Sequence, residues 1–108
     1  MRMWMVNPKE VCSQHLRGCH LEAHMFVGTI NKGKSIAGYL KNGLVEVHRI
    51  REYHDAIVEE LQSRGGWSHQ SPLPDFKEEV LGKVDVEANR KELAKRCERC
   101  RKLQEVRR

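Results

Sequence analysis

Residues 28–35 read GTINKGKS, a literal match to the G-x-x-x-x-G-K-S/T loop that cradles nucleotide phosphates. Such a loop needs a buried strand running into its first glycine and a helix leaving its second. The flanking residues decide between that α/β arrangement and a helical one. Upstream, Leu16, Cys19, Ala23, Phe26 and Ile30 recur at steps of three and four, which lays one apolar face along a helix. That face passes straight through Gly28. Downstream, Lys32 puts a cation in the final turn, and Gly33 supplies the left-handed residue that closes a helix. No apolar run ending in Asp follows to hold magnesium. The stretch is the end of a helix, and the nucleotide hydrolase reading is set aside.

The same reasoning extends in both directions. Asn7-Pro8-Lys9-Glu10 has the form of a helix start, with Asn7 as cap, Pro8 in the first turn and Glu10 at the capping-box position. A helix is therefore expected from about Pro8 to Lys32. Val47, Ile50, Tyr53, Ile57 and Leu61 mark a second amphipathic helix, closed by Gly65-Gly66. A third is expected from about Val86 through Leu93, Cys97, Cys100 and Leu103. Between the last two, GGWSHQSPLPD (residues 65–75) reads as a loop. There is no alternating strand pattern longer than Val45-Glu46-Val47. The expected fold is all-α: three main helices with long connecting loops, in a single domain over residues 1–108.

Hydrophobic residues make up 39% of the 108 and charged residues 32%, the balance of a globular chain and not of a disordered one. No apolar run approaches the roughly 20 residues that span a bilayer, and Pro8, Lys9 and Glu10 interrupt any signal-peptide core. A cytoplasmic location is expected. The net charge of +5 is uneven. Residues 1–54 carry +4 and five of the six histidines, and residues 89–108 alone carry +6. Such patches suit a polyanionic partner such as nucleic acid. For the C-terminal stretch, a solvated helix face is the favoured reading of the charge.

The cysteines and histidines offer two metal motifs. Cys97-Glu98-Arg99-Cys100 is a C-x-x-C pair that Cys12 and Cys19 can complete as a zinc set. All four also fall on apolar helix faces, where buried free thiols are the ordinary outcome, so no metal and no cofactor is expected. His20 and His24 stand at i and i+4 around Glu22. The glutamate is one place too late for the zincin H-E-x-x-H motif.

Gln14-His15-Leu16, Glu22 and Phe26-Val27-Gly28, with Glu22 seven residues after His15 and Gly28 six after Glu22, together resemble the pyrimidine-dimer DNA glycosylase family, the endonuclease V-like enzymes. HDAIVEELQSRG (residues 54–65) is similar to that family's matching helix. The resemblance implies a helical DNA repair glycosylase with coupled abasic-site lyase activity, acting on damaged double-stranded DNA as a monomer and without a cofactor. It places the nucleophile at the backbone amine of Met1 and the catalytic carboxylate at Glu22. Arg2, Gln14, His15 and His24 then support the active site, while Arg17, Lys32, Lys34 and Lys41 contact DNA phosphates. Arg2 is large enough to discourage removal of Met1. Leu21 and Met25 stand where the phage prototype has arginines, so the choice of lesion is open.

The chemistry favours such a nucleophile. An α-amine has a pKa near 7.8 and a lysine one near 10.4, so at pH 7.4 about 30% of the former is neutral against about 0.1% of the latter. The other readings of the sequence are a non-catalytic basic nucleic-acid-binding module and a zinc-stapled interaction protein.

Overall fold

The computed structural model describes residues 1–68 and 71–106, and it is helical, with five α-helices and no strand among them. The chain begins as an extended segment. A 3-10 turn at Pro8–Glu10 follows, with the Lys9 amide donating to Asn7 Oδ1 at 3.0 Å. The helix expected from Pro8 does not propagate from it, because Val11 is extended (φ −118°, ψ 135°). Glu10 is drawn instead into an ion pair with Arg90 at 3.0 Å. Helix α1 runs from Ser13 to Asn31 with Cys12 as its cap.

α1 continues unbroken through Gly18 and Gly28 and buries Leu16, Cys19, Ala23, Phe26 and Val27. Its end is a Schellman closure. The Gly33 amide donates to Ile30 O at 3.0 Å, the Lys34 amide donates to Thr29 O at 3.1 Å, and Gly33 has φ +70°. GTINKGKS is thus a helix terminus. The short α2 (Ala37–Lys41) follows, then a 3-10 turn at Val47–Arg49 that leads into α3 (Ile50–Arg64). The predicted stripe of α3 is buried at Ile50, Tyr53, Ile57 and Leu61, and Val47 is buried just before it.

α1 and α3 pack together to form the core, where Leu16, Phe26, Ile57 and Leu61 are essentially inaccessible. Burial of each such side chain stabilises the fold by about 1.5–3 kcal/mol. Arg64 ties the end of α3 to the start of α1, donating to Glu60 Oε2 (2.9 Å), Ser13 Oγ (3.1 Å) and Pro8 O (3.0 Å).

Among the described residues, the stretch after Gly65 has no helix before Val86. Trp67 in it is partly buried against the core and edge-on to the His20 ring at 5.4 Å. His69 and Gln70 of the expected loop, and Arg107 and Arg108 of the basic C-terminal stretch, lie outside the described residues.

The third predicted helix is two. α4 (Val86–Arg96) starts on the Asp85 cap, which accepts from the Ala88 amide at 2.9 Å, and α5 (Glu98–Val106) follows after a break at extended Cys97 (φ −133°, ψ 113°). A continuous helix over this span would be a rod of about 30 Å, too straight to press both apolar stripes on one core. The break folds α5 back on α4, where Leu93 and Cys100 are both buried and Gln104 donates to Arg90 O at 3.0 Å. Much of the C-terminal charge is paired locally, through Arg96–Glu92 (2.7 Å) and Lys102–Glu98 (3.5 Å).

Candidate active site

Glu22 projects from the middle of α1, half-buried, and its Oε2 accepts the backbone amide of Arg2 at 2.6 Å. This short, charge-assisted contact joins positions twenty residues apart. It depends on how the first six residues are held. Met3 N donates to Leu44 O at 2.7 Å, Asn89 Nδ2 donates to Trp4 O at 3.0 Å, and Tyr53 Oη donates to Val6 O at 2.8 Å. Met3, Trp4 and Val6 are buried, and Met5 between them takes the left-handed conformation with φ 59°, a local strain of about 1 kcal/mol. Adjacent backbone nitrogens are never more than about 4 Å apart. A 2.6 Å contact at the Arg2 amide therefore sets the Met1 nitrogen within about 7 Å of Glu22 Oε2.

Arg2, Met3, Cys19, Glu22, Ala23, Phe26, Ile50 and Tyr53 line the cleft behind this contact. Its volume of about 10 Å³ holds one water and no base, so a nucleotide can meet these residues only at its mouth. The thiol in the cleft is silenced. Burial, reinforced by the Glu22 charge, pushes the Cys19 thiol up to about 12, which leaves it neutral and inert. Burial and then Cys19 raise Tyr53 well above its ordinary value. The Arg2 guanidinium lies over the Trp4 ring at 4.3 Å, and that of Arg96 is 5.8 Å from the same ring.

The remaining predicted site residues are distributed differently. Gln14 and Arg17 are exposed on the first turns of α1. His15 is seven residues from Glu22, about 10 Å along the axis, and its Nδ1 faces thiols, not the carboxylate: Cys12 Sγ is 3.1 Å away and Cys100 Sγ 3.7 Å. His24 is absent from the cleft lining. Its ring packs on His20 (4.7 Å) and His54 (5.1 Å), and His54 Nδ1 contacts Asp55 Oδ1 at 2.9 Å. Lys32, Lys34 and Lys41 are exposed at the far end, Lys32 as the cap of α1 and Lys41 as the last residue of α2. Among the described residues, two groups bring metal-capable atoms within 4.8 Å of one another: Cys12, His15, Cys97 and Cys100, and His20, His24 and His54. Cys19, expected in the thiol set, belongs to neither.

A family model described as pyrimidine dimer DNA glycosylase matches residues 1–75. The chain belongs to the pyrimidine dimer DNA glycosylase family. Comparisons with curated proteins and with solved structures give no significant match. Membership makes the chain a DNA glycosylase at the level of the family, with DNA as the substrate it binds. The matched glycosylase segment contains Met1, Glu22 and the cleft residues, and it ends before α4. No described helix is long and apolar enough to cross a membrane.

Sequence reasoning missed the residues that hold the N-terminal segment. Tyr53 was legible only as part of an apolar stripe. Asn89 carries no local signal, since its partner Trp4 lies 85 residues away.

Proposed function

We propose that the protein is a DNA repair glycosylase with coupled abasic-site lyase activity, in which the α-amine of Met1 is the nucleophile and Glu22 the acid–base group. The observation that supports this reading is the Arg2 amide on Glu22 Oε2 at 2.6 Å, which brings the residue next to Met1 against a carboxylate in a family of DNA glycosylases. The neutral amine attacks C1′ of the damaged nucleotide, and the base departs with a proton delivered through Glu22. Ring opening leaves a Schiff base between Met1 and C1′. This cation makes the C2′ proton acidic, Glu22 removes it, and β-elimination expels the 3′ phosphate and cuts the strand. Water then releases the sugar from the amine.

The Glu22 carboxylate stabilises the positive charge that develops on the sugar and the imine. Arg2 adds a cation at the mouth. Leu21 and Met25 are 61% and 45% exposed on either side of Glu22, and apolar side chains there wedge against unstacked bases. Gln14 and Arg17 on the first turns of α1, and Lys32, Lys34 and Lys41 at its far end, take the DNA backbone without reading sequence. His15 and His24 support the site through the packing of α1, at a distance from the carboxylate. One monomer acts on double-stranded DNA in the cytoplasm.

The test is borohydride trapping of untagged protein on duplexes carrying an abasic site or a thymine dimer, with intact mass confirming Met1. A covalent adduct is expected with the free amine and none after N-terminal acetylation. No adduct on either duplex overturns the proposal.

A further inference from the structure

We propose that Cys12, His15, Cys97 and Cys100 form a tetrahedral structural zinc site that staples the C-terminal helix pair to the start of α1. Cys12 Sγ lies 3.9 Å from Cys97 Sγ and 3.1 Å from His15 Nδ1, and Cys100 Sγ lies 3.7 Å from His15 Nδ1, with all four ligand atoms within 4.8 Å of one another. Zinc bonds of about 2.3 Å to sulfur and 2.0–2.1 Å to nitrogen give tetrahedral edges of about 3.8 Å between sulfurs and about 3.6 Å between sulfur and nitrogen. The observed spacings fall around those edges. A disulfide between Cys12 and Cys97 would need their sulfurs to close to about 2.05 Å and would use neither His15 nor Cys100.

The backbone presents both ligand pairs in the same way. Cys12 is the extended N-cap of α1 (φ −67°, ψ 157°) and His15 its third helical residue; extended Cys97 immediately precedes α5, and Cys100 is its third. C-x-x-H and C-x-x-C are thus two copies of one device, each giving one ligand from the cap and one from the first turn. The break at Cys97 lies in KELAKRCERCRKL (residues 91–103), which has no glycine or proline and is composed mainly of strong helix formers. Local sequence gives no cause for it; convergence on Cys12 and His15 does. Backbone amides also point at the sulfurs, with Cys12 N donating to Cys100 Sγ at 3.2 Å and His15 N to Cys12 Sγ at 3.5 Å. Such N–H···S contacts orient thiolate ligands.

Four protein ligands leave no open position, which marks the site as structural and not catalytic. Cys97 and Cys100 lie beyond the residues the family model matches. The staple nevertheless reaches the active site. It anchors α5 and with it α4, whose Asn89 holds Trp4 O and so the segment that leads to Glu22.

The test uses the full chain purified under reducing conditions. Elemental analysis should find about one zinc per chain, and chelation should lower the thermal midpoint, with added zinc restoring it. Cobalt exchanged into the site should show tetrahedral d–d bands with thiolate charge transfer. Cys97→Ser and Cys100→Ser should lose the metal and those bands. Cys19→Ser should keep both, and His15→Cys should keep one metal with a spectrum shifted toward four thiolates. A chain that takes up neither zinc nor cobalt and melts unchanged in chelator overturns the proposal. Binding that survives Cys97→Ser overturns it too, because the metal then sits elsewhere. If the serine variants do not fold, the chelator melt on the unaltered chain and the His15→Cys spectrum decide the question.

Discussion

Replacing Glu22 with Gln separates the hydrogen bond this side chain accepts from the proton transfer proposed for it. Its Oε2 accepts the Arg2 amide at 2.6 Å, and a glutamine carbonyl can take the same position. The bond then changes from charge-assisted to neutral, roughly halving its strength, a loss of about 1 kcal/mol. In a domain of this size that corresponds to a fall of about 4–8 °C in Tm. Proton transfer suffers far more. A positioned acid–base group contributes about 10²–10⁴-fold, and an amide neither gives nor takes the proton. Single-turnover cleavage of an end-labelled duplex with one abasic site should slow at least about a hundredfold, while DNA binding by gel shift stays near that of the unaltered chain. Thermal melts of the same samples show that the variant is folded. If the folded Glu22→Gln protein cleaves within about threefold of the unaltered rate, far short of an acid–base contribution, Glu22 is not the proton-transfer group.

Other perturbations test the frame and the charge. Gly82 has φ +87°, and a Cβ there would run into the Val45 carbonyl oxygen, so Gly82→Ala should cost at least about 3 kcal/mol, read as a lower denaturant midpoint at an unchanged m-value. Replacing Lys32, Lys34 and Lys41 together with Gln should flatten the dependence of log K on log salt by up to about 2.7 if each meets a phosphate, measured by fluorescence anisotropy; an unchanged slope removes all three from the interface. The Cys19 thiol, raised to about 12 by burial and the Glu22 charge, keeps its proton in the folded chain when the unfolded chain has lost it. The folded state then binds more protons, so unfolding free energy should fall as pH rises from about 9 toward 12, by up to about 1.4 kcal/mol per pH unit for this group. Cys19→Ala should make that alkaline slope shallower by one proton's worth, as followed by urea titrations across the range.

What the sequence revealed, and what it hid, follows from the range of the interactions. The stripe of α3 and the stop at Gly33 are written in neighbours three and four residues apart, so periodicity and a single glycine locate both. The start of α1 was misplaced because Asn7-Pro8 does cap a turn, and nothing local says that the next residue, Val11, leaves it. The break at Cys97 was invisible for a related reason: the apolar spacing from Leu93 to Leu103 is consistent with one helix or with two. Ligand membership depended on that break. With a continuous helix the thiols could be assigned by spacing alone, which admitted Cys19 and overlooked His15. Only the family resemblance pointed to the N-terminus as a partner of Glu22, and the Arg2 amide contact itself was not foreseen, since a contact across twenty residues leaves no periodic trace.

The arrangement along α1 explains how one short helix serves two unlike environments. His15, Cys19 and Glu22 stand at i, i+4 and i+7, nearly in line on one face. His15 meets the thiols brought by α5, Cys19 is buried and neutral against Tyr53, and Glu22 meets the backbone of Arg2. The neutral middle position places no charge between the two ends. It also means that the carboxylate is oriented by a main-chain amide and not by a neighbouring side chain. The N-terminal segment must therefore be held rigidly for Glu22 to be useful, and its restraints come from three separate parts of the chain: Leu44, Tyr53 on α3 and Asn89 on α4. Of these, only Asn89 lies outside the residues that the glycosylase family model matches. The C-terminal helices thus bear on the proposed chemistry by position, through Asn89, which helps fix the segment that leads from Trp4 back to Arg2.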